Sequence, residues 1–297
     1  MTDGERERAF NGTINEIIRG RTRLLTDTRD EIARYLKDAL DRINAILAAQ
    51  PTDYQQWSLP RLAKEIQQAL AQFGEQATAR ISTAAGDAWQ LGQDLVDKPL
   101  LAAGVHIEAS LGAIDVRQLQ AMRAFMTDRL TNVALEAANK INAELGLVVI
   151  GAQSPSDATS KVRLILGEQS RARATTIVRG EVGRAFAVAS YQDLAASAVQ
   201  VPALKKRWRK SGKLHPRLYH DLADGQVRDV KEPFNLGNGA KLMHPHDPAA
   251  SAAETVNCGC VMLPYMESWK KDKLLTYPGR SPGGLDMDLP INDLLAA

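Results

Sequence analysis

Long stripes of apolar side chains at helical spacing are the feature that most constrains the fold of this chain. Apolar residues recur three and four positions apart, which places them on one face of an α-helix. The stripes are Ile32, Leu36, Ala39, Ile43 and Ile46; Leu62, Ile66, Ala69, Phe73, Ala77 and Ile81; and Leu119, Met122, Met126, Val133, Ala137 and Ile141. Because aromatic residues make up only 5% of the chain, the core depends on aliphatic side chains, and this composition favours helix packing.

Helix-ending signals separate the stripes. The first helix is expected to end at Gln50, because the residue before a proline disfavours helical conformation. Ser58 can cap the second helix, and the third is expected to end near Gly146. The first 22 residues are polar and predict only a short peripheral helix, while Leu147–Ile150 resembles a short β-strand.

We therefore predict a mainly α protein: an elongated N-terminal helical bundle with long helices, then a small α+β domain and an extended tail. The bundle is expected to occupy residues 1–153, and a long basic connecting helix residues 154–200. Short apolar runs between Gly- and Pro-rich turns predict the α+β domain over 201–265. Residues 266–297 are expected to form a tail that gains order only against a partner.

Composition and charge exclude several classes of protein. The net charge of +2 is too small to mark the whole chain as a nucleic-acid binder. Two cysteines one residue apart provide no disulfide framework. The polar start predicts no secretory signal, and the longest charge-free run, Leu145–Ser156, is too short to span a bilayer. A soluble protein made in a reducing cytoplasm is expected.

The segment from His244 to Cys260 concentrates residues that carry chemistry. Residues two apart on a strand share a face, so Cys258 and Cys260 are expected to present two thiols together, and His244 and His246 two imidazoles. Together with His220, these side chains offer enough ligands for a tetrahedral structural zinc ion, of which Cys258, Cys260, His220 and His246 are the candidate set. Two alternatives stay open: small buried side chains packed in a core, or redox chemistry.

A basic run opens the predicted α+β domain. It contains no acidic residue between its cations, which are Lys205, Lys206, Arg207, Arg209, Lys210, Lys213 and Arg217. Such a cluster binds phosphates without reading sequence, and salt weakens the binding strongly. We expect the first six cations to contact DNA phosphates, with an acidic protein surface as the alternative partner. Trp208, inside the run, either stacks on a base or anchors the core.

Five segments resemble, in order and spacing, the motifs of one phage family. Arg179-Gly180-Glu181 resembles its Arg-Thr-Glu, and Trp208 with Ser211-Gly212 its Trp-x-x-Ser-Gly. His220 with Asp224-Gly225-Gln226 resembles its His-x-x-x-Asp-Gly-Gln, and Pro245-His246-Asp247-Pro248 its Pro-Gly-Asp-Pro. Glu254 with Asn257-Cys258-Gly259-Cys260 resembles its Glu-x-x-Asn-Cys-Arg-Cys. The family is that of the phage Mu protein F-like, or SPP1 gp7-like, minor head proteins, and the match covers about a third of the chain.

The resemblance implies a minor head (minor capsid) protein of a tailed phage. Such a protein resides in the virion at the portal vertex or inner capsid surface, and acts in head morphogenesis, DNA packaging or early DNA ejection. The implied partners are the portal protein, the major capsid protein and packaged double-stranded DNA, with no membrane. We expect Arg179 and Glu181 to form an ion pair that ties the long helix to the small domain. Asp224-Gly225 and Asp247-Pro248 are expected to shape its turns.

Two other classes of function stay open. One is an enzyme delivered with the genome, a nuclease or ADP-ribosyltransferase that uses His220, Asp224, Glu254 and Arg179. The sequence contains no phosphate-cradling Gly loop, no nucleophile elbow and no His-Glu-x-x-His motif, so we assign no catalytic residue and expect no enzyme. The other class is an assembly scaffold that is lost on maturation.

Overall fold

A computed structural model of the chain describes residues 1–50, 58–106, 116–212 and 217–269. Three long helices come first: α1 (Asp3–Ala48), α2 (Leu59–Ala102) and α3 (Val116–Val149). Most side chains of the apolar stripes are buried along these helices, and Ile46, Leu119 and Met122 are half-buried. The mainly α class with long N-terminal helices is confirmed. None of the helices in the described ranges combines the length and apolarity needed to cross a membrane.

Helix α1 is one continuous helix. The expected separation of a short peripheral helix in the first 22 residues from the helix that carries the Ile32 stripe is therefore wrong. The weak stripe of Phe10, Ile14 and Ile17 continues in register into Ile32 and beyond, and all of these side chains are buried. The stripe passes through Arg21 and Thr28, which are also buried. These two polar residues conceal the continuity of the stripe in the sequence.

The ends of α2 and α3 lie beyond their predicted positions, which the sequence places at about Val96, before Pro99, for α2 and near Gly146 for α3. Helix α2 continues to Ala102 with Pro99 inside its last turns, where Ala103 N donates to Pro99 O at 3.1 Å. Helix α3 includes Leu147 and ends at Val149, so the predicted β-like run there is wrong. Gly151 ends α3 in a left-handed conformation, with φ of +76°, as is common after helices.

The predicted connecting helix is interrupted. It consists of α4 (Pro155–Leu164), one π-helical turn (Ile165–Gln169) and α5 (Ser170–Gln200). Ser154 caps α4 by accepting a hydrogen bond from Asp157 N at 3.1 Å, whereas the sequence suggests Ser156 or Asp157 as the cap. In the π-turn, Ser170 Oγ donates to Ile165 O at 2.8 Å.

The C-terminal segment forms a small sheet region with short helices, as the α+β prediction requires. Strand β1 (Leu204–Arg209) pairs antiparallel with β5 (Val261–Met266) on one side and with β2 (Val227–Arg228) on the other. A second pair joins β3 (Phe234–Asn235) and β4 (Lys241–Leu242). The short helices are α6 (Leu218–Leu222) and α7 (Ala252–Thr255). In the register of β1 and β5, Trp208 lies opposite Met262.

Contacts group the chain into two units. One contains residues 1–24, 86–119 and 182–297, and the other contains residues 25–85 and 120–181. This grouping differs from the consecutive domain boundaries expected from the sequence, because helix segments from three parts of the chain join the sheet region in the first unit.

Side chains within the first unit illustrate this shared core. Phe10 of α1 meets Trp269, which ends a 3₁₀ turn after β5, with ring centroids 5.2 Å apart. Gly92 of α2 lies so close to α5 that a β-carbon there would be 2.5 Å from Phe186 O. The predicted tail therefore begins with an ordered turn, and the rest of it, residues 270–297, lies outside the described residues.

Candidate functional site

The candidate site is built around Trp208 on the central strand β1. Its side chain is fully buried and lies edge-on to His220, with ring centroids 5.5 Å apart, and to Phe234, at 5.3 Å. Trp208 is therefore the core anchor of the small domain, the second of the two roles that the sequence leaves open. Its burial leaves no face for stacking on a nucleic-acid base.

His220, on the short helix α6, makes a hydrogen bond to Glu254 of α7. His220 Nε2 lies 2.6 Å from Glu254 Oε2, and Asn238 Nδ2 donates to Glu254 Oε1 at 2.9 Å. In the neutral imidazole, with the carboxylate as acceptor, Nε2 carries the hydrogen and Nδ1 keeps its lone pair. Sequence reasoning missed Asn238, whose only sequence signal is its place in a Gly-rich turn.

Both cysteine thiols meet the other nitrogen of this imidazole. Cys258 Sγ and Cys260 Sγ each lie 3.6 Å from His220 Nδ1. The three ligand atoms lie within 4.8 Å of one another, and all three side chains are buried. The structure thus contains a His/Cys group that can hold a metal ion, with two thiols presented together as the sequence predicts.

The two thiols have pKa values that are shifted in opposite directions. The hydrogen bond from Cys260 lowers the pKa of Cys258 to about 3, and the hydrogen bond with His220 adds to this effect. The same hydrogen bond raises the pKa of Cys260. Burial opposes protonation of His220, but its hydrogen bonds with Cys258 and Glu254 outweigh burial and raise its pKa. Cys258 therefore loses its proton more readily than an ordinary cysteine.

His246 lies outside this group of three, although the sequence made it a candidate ligand. It has a φ of +64°, a left-handed conformation that turns its ring towards α5. A β-carbon on Gly183 would lie 2.9 Å from His246 Nε2, which has no hydrogen-bond partner among the described residues. Burial lowers the pKa of His246 to about 4, so the ring is neutral at pH 7. His244 Nδ1 meets Pro245 O at 2.9 Å.

The two glycines on α5 have different surroundings. Gly183 provides the space for the His246 ring, whereas a β-carbon on Gly180 would meet nothing within 4 Å. Of the two glycines, only Gly183 therefore has a close neighbour. The neighbour there is a side chain from the small domain.

Arg21 of α1 is a member of the site that sequence reasoning missed. It is only 6% exposed, and its guanidinium lies 5.1 Å from the centroid of the Phe186 ring. Burial lowers the pKa of Arg21 to about 10, while the charges of Cys258 and Cys260 act in the opposite direction. Arg21 remains charged at neutral pH. The sequence does contain a signal for the burial of Arg21, because this residue continues the helical spacing of the apolar residues Ile14 and Ile17.

The turn motifs expected at Asp224-Gly225 and Asp247-Pro248 have clear structural roles. Asp224 Oδ1 accepts from Lys210 N at 2.9 Å, and Gly225 adopts a φ of +84° while its N–H donates to Trp208 O. Asp247 accepts from Met243 N at 2.8 Å and from Ala249 N at 2.9 Å. Pro248 is exposed in this turn. Asn257 adopts a φ of +55° just before Cys258, which turns the chain into the site.

Several cations of the predicted phosphate-binding run have partners within the protein. Lys205 Nζ lies 2.7 Å from Glu267 and 3.5 Å from Asp229, and Lys210 Nζ lies 2.6 Å from Asp221. The guanidinium of Arg207 lies over the Tyr265 ring, and Arg209 donates to Asn15 at 3.4 Å. Lys213 lies outside the described residues.

Lys206 corrects the phosphate-binding prediction at one position. Its side chain is fully buried, donates to Met243 O at 2.8 Å and lies near the rings of Tyr191 and Phe234. Burial lowers its pKa to about 8. Since alternate residues of a strand face opposite sides, Lys206 points into the core with Trp208 and cannot reach a phosphate.

The expected ion pair between Arg179 and Glu181 is wrong. Glu181, which is only 2% exposed, pairs with Arg129 of α3 at 2.6 Å, whereas Arg179 is exposed. Residues two apart on a helix point to different faces, so the two side chains of this motif diverge.

Comparison with known proteins gives one partial likeness. The chain is 41% identical over 105 residues to the uncharacterized protein YqbB of Bacillus subtilis (strain 168). The match covers 34% of this chain and 32% of that protein, so the chain spans about a third of the length of the curated relative that it matches. No family model and no solved structure matches the chain. Since the relative is described as uncharacterized, the likeness assigns no function.

Proposed function

We propose that this protein is a minor head protein of a tailed phage. In this role it resides in the virion, binds the portal protein or the inner surface of the major capsid protein, and acts during head assembly, DNA packaging or ejection. The observation that carries the proposal is that the segments that resemble the family motifs contact one another in the structure. They are linked by direct side-chain contacts rather than scattered over the chain.

The contacts between these segments support the proposal. His220 links three of them, because it meets Trp208, Glu254 and the two cysteines. Asp224 fastens the turn after α6 to Lys210, next to the end of β1. Residues that contact one another in a small domain depend on each other. We therefore expect them to be found together in the motifs by which the sequence resembles a family.

The positions that depart from the family motifs are compatible with the same domain. A β-carbon at Gly180 would meet nothing within 4 Å, so the threonine usual in the family would fit. His246 stands where the family has glycine and adopts the left-handed conformation that glycine adopts most readily. The departures therefore leave the proposed domain architecture intact.

We further propose that the His/Cys group of this domain holds a structural zinc ion. With ligand bonds of about 2.3 Å to sulfur and about 2.0 Å to nitrogen, tetrahedral zinc separates its N and S ligand atoms by roughly 3.5 Å. The distances from His220 Nδ1 to the two sulfurs, both 3.6 Å, are close to this value. The bond from His220 Nε2 to Glu254 is the outer-shell contact that metal-bound histidines usually make.

The structure supports a protein partner better than it supports packaged DNA as a partner. Arg207 and Arg209 on strand β1, and Lys210 just after it, are half-buried, so their reach to packaged DNA is limited. A protein surface of the portal or capsid is therefore the principal partner that we propose. DNA contact is a secondary proposal, and its signature is binding that weakens steeply as salt is raised.

Quantitative mass spectrometry of purified DNA-filled particles tests the proposal. The particles are produced from the gene cluster that surrounds this gene and are washed in high salt. We expect a few copies of the protein per particle, retained through the wash. Absence from filled particles but presence in empty precursors would indicate a scaffold, and absence from both would leave a free enzyme. Either result would overturn the minor head assignment.

A further inference from the structure

Three buried oxygen atoms near the C-terminal ends of α2 and α5 have no hydrogen-bond partner among the described residues. They are Asp97 Oδ1, Asp193 Oδ2 and Ser197 Oγ. Asp193 is only 4% exposed and Ser197 is fully buried, while Asp97 is half-buried. A buried polar group without a partner is destabilising, and a charged group more so. These oxygens therefore call for a ligand.

A close approach of α2 and α5 brings the two carboxyl groups together. At Gly92, an added β-carbon would lie 2.5 Å from Phe186 O and 2.8 Å from Ala189 Cβ. Asp97 and Asp193 follow this contact by about one turn on their helices, and their carboxyl groups share a hydrogen bond. Both helix segments belong to the first of the two units. The carboxyl groups thus face one another across the interface between these helices.

Ser197 adds a hydroxyl group to this pair. It follows Asp193 by four residues on α5, so the two side chains share a helix face. Because helical side chains lean towards the N-terminus of their helix, the Ser197 hydroxyl leans towards the Asp193 carboxyl. A serine in a helix often bonds to a carbonyl about one turn earlier, as Ser190 does with Ala187 O at 3.1 Å. Ser197 makes no such bond, which leaves its oxygen to a ligand.

The two carboxyl groups form no ion pair with a cation of the described residues. Lys98, next to Asp97 in the sequence, is engaged elsewhere, since its Nζ lies 2.7 Å from Asp94 Oδ2. Asp94 is itself a charged neighbour of both Asp97 and Asp193, and it adds negative charge. Buried carboxylates are usually paired with a cation or bound to a metal ion. The missing partner of this group is therefore a positive charge.

We propose that Asp97, Asp193 and Ser197 form a binding site for Mg²⁺, which fastens α2 to α5. Carboxylate and hydroxyl oxygens are hard ligands, which suit Mg²⁺ better than softer metal ions. Magnesium is commonly held by one or two carboxylates and keeps several waters, and solvent reaches the half-buried Asp97. Serine hydroxyls also bind Mg²⁺ in phosphate-binding loops. This inference is independent of the head function and of the zinc site.

Binding of the ion replaces a proton. A hydrogen bond between two carboxyl groups requires one of them to carry a proton, so the ion-free pair has one negative charge. When Mg²⁺ coordinates both carboxylates, this proton leaves to solvent, and the charges of the ion and the two carboxylates cancel. The exchange therefore removes net charge from a buried site, where charge is costly.

Magnesium titrations of the full-length protein, stripped of metal by a chelator and followed by calorimetry, test this inference. Asp193→Asn keeps the shape of the side chain but removes its charge, and Asp87→Asn, at an exposed position of α2, is the matched control. Ser197→Ala removes the unpartnered hydroxyl, and Ser190→Ala, whose hydroxyl already has a partner, is the control on the same helix. We expect Asp193→Asn to bind Mg²⁺ at least about tenfold more weakly, because affinity follows the charge of the ligands. Ser197→Ala should show a smaller loss, and both controls should match the wild type.

Thermal unfolding provides a second readout. A ligand that binds only the folded state stabilises it, so Mg²⁺ should raise the unfolding midpoint of the wild type but not that of Asp193→Asn. Absence of Mg²⁺ binding to the wild type would overturn the site, and so would equal affinities of the wild type and Asp193→Asn. Equal affinities of Ser197→Ala and Ser190→Ala would overturn the assignment of Ser197 as a ligand.

Discussion

His220 and Glu254 lie 34 positions apart in the sequence, yet the Nε2 and Oε2 atoms of their side chains are 2.6 Å apart inside the small domain. This contact fixes which imidazole nitrogen carries the hydrogen, and it therefore decides which nitrogen faces the cysteines. Through Asn238, the same carboxylate also ties down the turn between β3 and β4. One buried carboxylate thus orders three segments of the domain.

Replacing Glu254 by Gln should destabilise the protein. The amide keeps the shape of the side chain but loses the charge that favours a hydrogen on His220 Nε2. Because a buried hydrogen bond to a charged group contributes about 2 kcal/mol, we expect a loss of that size in the free energy of unfolding, measured with urea. The matched control is Glu267→Gln, at an exposed carboxylate that pairs with Lys205, and it should change little. Equal effects of the two substitutions would contradict the central role of Glu254.

A methyl group at Gly92 should be destabilising because two helices approach closely there. The added carbon would lie 2.5 Å from Phe186 O and 2.8 Å from Ala189 Cβ. Overpacking of this kind costs about 2 kcal/mol, so Gly92→Ala should lower the midpoint of thermal unfolding. Gly180→Ala is the control: its β-carbon has free space, and alanine favours helix over glycine by about 1 kcal/mol. A stabilised Gly92→Ala protein would refute the close approach of α2 and α5.

Much of the fold could be predicted because apolar residues at helical spacing indicate where the helices lie. The stripe through Leu62 and Phe73 is buried throughout α2, as expected. The continuity of α1 was missed because Arg21 and Thr28 occupy stripe positions with polar side chains. A stripe pattern also cannot show which distant segments share a core, so the contribution of α1 and α2 to the unit that contains the sheet was not foreseen.

Three of the four predicted ligands of the candidate site lie together in the structure, and His246 does not. Cys258 and Cys260, which lie just before β5, present their thiols to His220 as the spacing indicates. In contrast, nothing in the sequence shows that His246 adopts a positive φ and turns towards Gly183. The basic run was over-interpreted for a similar reason, because a strand buries every second side chain and Lys206 is one of those.

The partner of Glu181 can be tested by two substitutions on different helices. Arg129 pairs with this buried carboxylate at 2.6 Å, so Arg129→Met should lower the free energy of unfolding by about 1–2 kcal/mol, since it weakens the compensation of a buried charge. Arg179→Met, at the exposed residue two positions before Glu181, should stay within about 0.5 kcal/mol of the wild type. Urea unfolding measures both. A larger loss of stability for Arg179→Met than for Arg129→Met would indicate that Glu181 pairs with Arg179 instead.

The carboxylates Asp97 and Asp193, on α2 and α5, should make stability fall as the pH rises. Asp193 is only 4% exposed. Burial and the neighbouring Asp97 together raise its pKa to about 8, while burial also raises the pKa of Asp97. An unfolded aspartate has a pKa of about 3.9. Between about pH 4 and pH 8 the folded protein therefore holds a proton that the unfolded chain has released. The contribution of this proton to stability is fully present below about pH 4 and is lost as the pH approaches 8.

Asp193→Asn tests this dependence, because the amide keeps the shape of the side chain without titrating. The slope due to one proton is at most about 1.4 kcal/mol per pH unit. Urea unfolding from pH 5 to pH 8 should show a flatter profile for Asp193→Asn than for the wild type, with the variant the more stable of the two at pH 8. Asp87→Asn, at an exposed position of α2, should run parallel to the wild type. If the pH profile of Asp193→Asn is also parallel to that of the wild type, Asp97 and Asp193 share no proton between these two helices.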